Sequence, residues 1–87
     1  MPKRLYVGNL PFSTTEQELE TLFKSVGNVE SVTIVKSQDT GRSRGFAFVD
    51  MADEAEARTA REALNLKPHG GRYLNVNPVH SEDQWKA

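Results

Sequence analysis

Arg44-Gly45-Phe46-Ala47-Phe48-Val49-Asp50-Met51 (RGFAFVDM, 44–51) reads as a strand with two unlike faces. Side chains alternate along a strand, so Ala47, Val49 and Met51 share one face while Phe46, Phe48 and Asp50 share the other. The strand itself is predicted over Phe46–Val49, and three other segments divide in the same way. A strand predicted over 4–8 sets Leu5 and Val7 against Tyr6 and Gly8 before Pro11 blocks further pairing. Val29–Lys36 sets Val32 and Ile34 against Thr33 and Val35, and Tyr73–Asn77 sets Leu74 and Val76 against Tyr73, Asn75 and Asn77. The aliphatic sets are the natural core face, which leaves Tyr6, Phe46, Phe48, Tyr73, Asn75 and Asn77 facing outward. Reversing the faces would bury Thr33, Asp50, Asn75 and Asn77, at roughly 1–3 kcal/mol for each unpaired polar group.

Between the strands lie two helix patterns. Thr15 and Glu18 have capping-box spacing, and Leu19, Leu22, Phe23 and Val26 follow as one apolar stripe. Glu16, Glu18 and Glu20 suit the positive end of the helix dipole, and Gly27 is expected to supply a left-handed stop. Asp53 and Glu56 repeat the capping spacing ahead of a second stripe, Ala57, Ala60 and Leu64. Residues 67–71 read as a loop. The order is βαββαβ, and right-handed crossovers place both helices on one face of a four-stranded antiparallel sheet. This is an α+β sandwich of ferredoxin-like type whose second face has no helix to cover it. A single domain is expected over residues 1–80, with 81–87 as a short C-terminal tail that holds the only tryptophan, Trp85. Two readings of that tail stay open: a free segment, or a lid that folds back over the sheet.

The chain has 87 residues, enough for one domain and too few for a deep enclosed active site. The absence of cysteine excludes disulfides, thiolate metal sites and a cysteine nucleophile. Without such staples an intracellular, cytoplasmic location is expected, with the nucleus as the alternative. No stretch reaches the ~18 apolar residues of a membrane span, and Gly8 and Asn9 cut short any signal peptide. Eleven Lys and Arg against twelve Asp and Glu give a net charge of −1, which alone argues against a polyanionic ligand. The distribution argues the other way. Acidic residues cluster at 16–20 and 50–56, whereas Lys3, Arg4, Lys36, Arg42, Arg44 and Arg72 fall in other segments.

Aromatic side chains beside cations suit single-stranded nucleic acid, whose bases stack on rings and whose phosphates pair with Arg and Lys. The candidate contacts are Tyr6, Phe46 and Phe48 for stacking, Arg44, Arg42, Lys36 and Arg4 for phosphates, and Asn75 and Asn77 for base edges. Ordinary solvated surface explains Asn75, Asn77 and Arg42 equally well. The expected partner is a single-stranded nucleic acid, RNA or DNA, bound by a monomer with no cofactor, no metal and no membrane contact.

Leu5-Tyr6-Val7-Gly8-Asn9-Leu10 resembles the six-residue motif of the RNA recognition motif (RRM) family, and residues 44–51 resemble its eight-residue motif. The two motifs lie about 40 residues apart in a βαββαβ frame, a far more specific signal than either alone. The resemblance implies that Tyr6 and Phe46 each stack a base, that Phe48 packs on a sugar and that Arg44 meets a phosphate. Residues 39–45 also look like the family's linker between second and third strands. With one such unit, the chain is most similar to short bacterial members or to an excised module. Met51, Arg61, Leu66 and His69 depart from the family pattern, all outside the stacking platform.

Two other functions compete. Acylphosphatases share the strand order, but their phosphate cradle needs an arginine in the first strand–helix loop, and Asn9-Leu10-Pro11-Phe12-Ser13 has no cation. His69 and His80 are the only histidines, and no phosphate-binding glycine motif appears, so no catalysis is expected. Some RRM-like domains instead dock peptides through the first helix and an Arg-x-Phe segment. Gly71-Arg72-Tyr73-Leu74 has different spacing.

Overall fold

The structure, a computed structural model, describes residues 3–79. The elements run β1 (Arg4–Gly8), α1 (Glu16–Lys24), β2 (Val29–Lys36), β3 (Ser43–Met51), α2 (Glu54–Leu64), β4 (Pro68–His69), β5 (Arg72–Tyr73) and β6 (Asn75–Pro78). One sheet has the order β2-β3-β1-β6 with every neighbouring pair antiparallel, and β4 with β5 forms a separate small hairpin. This is the α+β frame expected from the sequence. The tail readings, Trp85 included, and the domain boundary at residue 80 lie outside the described residues.

Strand parity sets the core. Leu5, Val7, Ile34, Ala47, Val49, Met51, Leu74 and Val76 are buried with Leu19 and Phe23 of α1 and Ala57, Ala60 and Leu64 of α2. Each large aliphatic or aromatic side chain removed from water contributes about 1.5–3 kcal/mol, so this single layer fixes which sheet face the helices cover.

The helices start as their sequences predict. Glu18 N–H donates to Thr15 Oγ1 at 3.1 Å, and Thr15 N–H donates back to the Glu18 carboxylate at 3.1 Å. In α2 only one arm of the box forms: Glu56 N–H donates to Asp53 Oδ1 at 2.8 Å. The Glu56 carboxylate instead accepts from the backbone N–H and side-chain amide of Asn28 at 3.1 and 2.9 Å, tying α2 to the start of β2.

Three expectations need correction. Gly27 is not a left-handed stop, since α1 ends at Lys24 with Ser25 as a right-handed cap and Gly27 is not among the positive-φ residues. It is a point of close approach, where an added Cβ would lie 3.0 Å from Met51 Cε and 3.4 Å from Glu56 Cβ. Tyr73 does not belong to the fourth sheet strand. Gly70 (φ 58°) and Gly71 (φ 85°) turn the chain between β4 and β5, so Tyr73 pairs with Pro68 and stays exposed outside the main sheet. The strand read over 46–49 runs from Ser43 to Met51. Beside it, outer strand β2 has register shifts between Val29 and Ser31 and between Ile34 and Lys36.

Candidate nucleic-acid interface

On the face away from the helices, register lines up one row of side chains. Tyr6 lies opposite Phe48 on one side and Asn77 on the other, and Thr33 continues the row on β2. Asn75 lies opposite Gly8. The three rings form one cluster. Tyr6 and Phe46 are 5.6 Å apart and tilted by 32°, while Phe48 meets Tyr6 at 6.2 Å and Phe46 at 6.1 Å in edge-on geometries. These separations are those of favourable aromatic pairs. Tyr6 and Phe46 are half-buried, whereas Phe48, on the same face, is only 7% exposed. The open ring surface is therefore mainly that of Tyr6 and Phe46.

Gly8 explains how Tyr6 lies. A Cβ built on Gly8 would come within 2.5–2.8 Å of the Tyr6 hydroxyl, Cε1 and Cζ. The phenol ring thus lies down over the next same-face position of its own strand, which only glycine leaves open.

The cations divide into two groups. Arg44 is exposed and its guanidinium sits 5.9 Å from the Phe46 ring centre, within cation–π range and beside the stacking surface. Arg4 sits 5.7 Å from the Phe48 ring centre and grips Asp50 with two bonds, Nε to Oδ1 at 2.8 Å and Nη2 to Oδ2 at 3.1 Å. Ser31 Oγ donates to Asp50 Oδ2 at 2.8 Å. The Arg4 bonds, helped by Ser31, hold the Asp50 carboxyl below its ordinary range against the opposing effect of partial burial. Arg42 and Lys36 stand apart from the rings, in a groove between the β1–α1 loop and the β2–β3 connection.

Of the nine candidate residues, the structure gathers Tyr6, Phe46, Phe48, Arg44, Asn75 and Asn77 on one face, adds Arg4 already engaged with Asp50, and puts Arg42 and Lys36 around the sheet's end. Sequence reading did not pair Arg4 with Asp50. Parity placed Asp50 outward, but the partner depends on the β1–β3 register. Phe12, 71% exposed in the β1–α1 loop, was also passed over, because a loop aromatic belongs to no periodic pattern. Among the described residues no group of three His, Asp or Glu side chains could hold a metal, and no helix is long and apolar enough to cross a membrane. The arrangement offers flat apolar surface, one adjacent exposed cation and two exposed amides, which suits stacked bases joined by phosphates.

Known proteins resemble this chain in sequence and in fold. The family model described as RNA recognition motif matches residues 5–75. The glycine-rich RNA-binding protein 1 of Mycosarcoma maydis is 42% identical over 81 residues, 93% of this chain and 46% of that protein. The chloroplastic RNA-binding protein CP29B of Arabidopsis thaliana is 46% identical over 74 residues, 85% of this chain and 26% of its own length. The solved Rna15 RRM with bound RNA (GU) superposes with a TM-score of 0.84 at 29% identity, covering 95% of this chain and 88% of that one. A likeness to short bacterial members is not what the two curated relatives support, since they are a fungal and a plant protein, of each of which this chain spans less than half.

Proposed function

The chain belongs to the RNA recognition motif family, and on that premise we propose that it binds a few nucleotides of single-stranded RNA across the open sheet face. The observation that carries this reading is the tilted Tyr6–Phe46 pair, held half-open to solvent with a guanidinium beside it. An apolar surface of this kind is unfavourable in water unless a ligand covers it. Bases stack on Tyr6 and Phe46, with Phe48 packing edge-on beneath them and against a sugar. Arg44 meets a phosphate, Lys36 and Arg42 add charge at the sheet's end, and Arg4 adds its charge beside Phe48 while bonded to Asp50. Asn75 and Asn77, exposed next to Tyr6 along β6, offer hydrogen bonds to base edges. Binding is the whole of the proposed activity, and the cytoplasmic location expected from composition is part of the same proposal.

Phe46→Ala is expected to weaken RNA binding by about 1–3 kcal/mol, the value of one base–ring contact, and to leave the fold intact. Fluorescence anisotropy with a mixed-sequence oligonucleotide, alongside circular dichroism, measures both. Equal affinities, or a variant that unfolds, would remove the platform assignment. Absence of any RNA affinity in the unaltered protein would return peptide docking as the leading alternative.

A further inference from the structure

A second aromatic surface lies around the end of the sheet. Phe12 lines a groove of about 450 Å³ together with Thr15, Ile34, Lys36, Arg42 and Ser43. A lone exposed ring needs no explanation by itself, but this one has three features that a stray surface residue lacks. It is seated: Gly45 adopts φ +87°, and a Cβ there would lie 3.3 Å from Phe12 Cε1, so the ring approaches bare backbone on one side and faces solvent on the other. Its loop is pinned, Leu10 N–H donating to Gly45 O at 2.9 Å and Thr14 N–H to Pro11 O at 3.1 Å. Its neighbours carry charge of the right sign. Arg42 and Lys36 are both exposed, and the one carboxylate in the groove, Glu16, accepts from Ile34 N–H at 3.1 Å.

The groove is also continuous with the platform. Lys36 lines it and also lines the depression on the other side of the β2–β3 connection, next to Arg44. Arg44 in turn lies beside Phe46. Lys36 thus borders both hollows, and Arg44, which shares one of them with Asp39, borders the Phe46 ring, so cations stand beside both aromatic surfaces.

We propose that Phe12 is a further nucleotide site, in which a base of the same RNA strand stacks on the ring while Arg42 and Lys36 hold its backbone. The inference rests on the platform reading above and extends it from the sheet face to the β1–α1 loop. A ring flanked by two cations and joined to a nucleotide-binding surface favours a nucleotide over a peptide, which has no repeating anion.

The test compares unaltered protein, Phe12→Ala, Phe12→Trp and Phe46→Ala on strands of about three and about eight nucleotides. Phe12→Ala should bind the short strand as the unaltered protein does and lose roughly fivefold to a hundredfold on the long one. Phe12→Trp should keep the long-strand affinity, and Phe46→Ala should weaken both. If Phe12→Ala matches the unaltered protein on the long strand while Phe46→Ala does not, the groove site is overturned and the platform stands. The groove then belongs to another occupant, such as a protein. Equal loss by Phe12→Ala on both strands would also overturn it, since the ring would then be acting through the platform. If Phe46→Ala weakens neither, the platform reading falls and this site with it.

Discussion

The missing side chain of Gly8 sets the attitude of the Tyr6 ring. Gly8→Ala places a methyl group where the ring now lies, and the far end of a tyrosine can swing away cheaply. The variant should therefore fold, with a small change in melting temperature, yet lose about 1–3 kcal/mol of RNA affinity as the ring lifts. Titration and thermal melting measured together would show this, and unchanged affinity would refute it. Asp50 carries a second prediction. Its folded pKa lies below the ordinary value of 3.8, so its stabilising effect is complete above that value and disappears as pH falls through the folded one. The Arg4 and Asp50 side chains are 41% and 24% exposed, which limits the pair to at most about 1 kcal/mol. Urea unfolding at about pH 7 and about pH 3 should show Asp50→Asn losing less stability on acidification than the unaltered protein. An identical acid loss in both would mean that the carboxylate contributes nothing.

At the scale of elements, what could be read in advance was whatever repeats or follows a local chemical rule. Period-two alternation sorted Leu5, Val7, Ile34, Ala47 and Val49 from Tyr6, Phe46 and Asp50 before any contact was known, because a strand shifted by one residue would bury its polar set. Thr15 with Glu18 marked a helix start because both arms of the box are local to one turn. Asp53 with Glu56 looked identical, but the Glu56 carboxylate went to Asn28, 28 residues away, and no local pattern encodes that choice. Gly27 misled for a similar reason: a glycine that admits Met51 and Glu56 is spelled like one that ends a helix. The β4–β5 hairpin was nearer to legible. Two glycines between Pro68-His69 and Arg72-Tyr73 are a tight-turn signal, hidden because alternation from Asn77 extends back through Tyr73. The site divides likewise. The rings follow from parity, but the separation of Arg42 and Lys36 from them follows from the path of the β2–β3 connection.

For the whole molecule, a net charge of −1 conceals a division by side. The glutamates of α1 and α2 other than Glu16 lie behind the sheet, Glu16 borders the groove with Lys36 and Arg42, and Arg44 lies at the end of the open face. Two or three phosphates are within reach of these cations, so log affinity against log salt should slope at roughly −0.7 per contact, near −2 in total. A slope several times steeper would show that other cations take part. The outer strands carry a separate consequence. β2 is broken in register twice, and β6 has four residues and ends in Pro78, which has no N–H to give. Neither border is a straight row of donors and acceptors on which a stranger's strand could continue the ladder. Light scattering at high concentration should accordingly report the mass of one chain, 9.7 kDa, and growth into larger species would contradict this. Units with such borders can be strung along one polypeptide, or crowded on one transcript, without knitting into a common sheet.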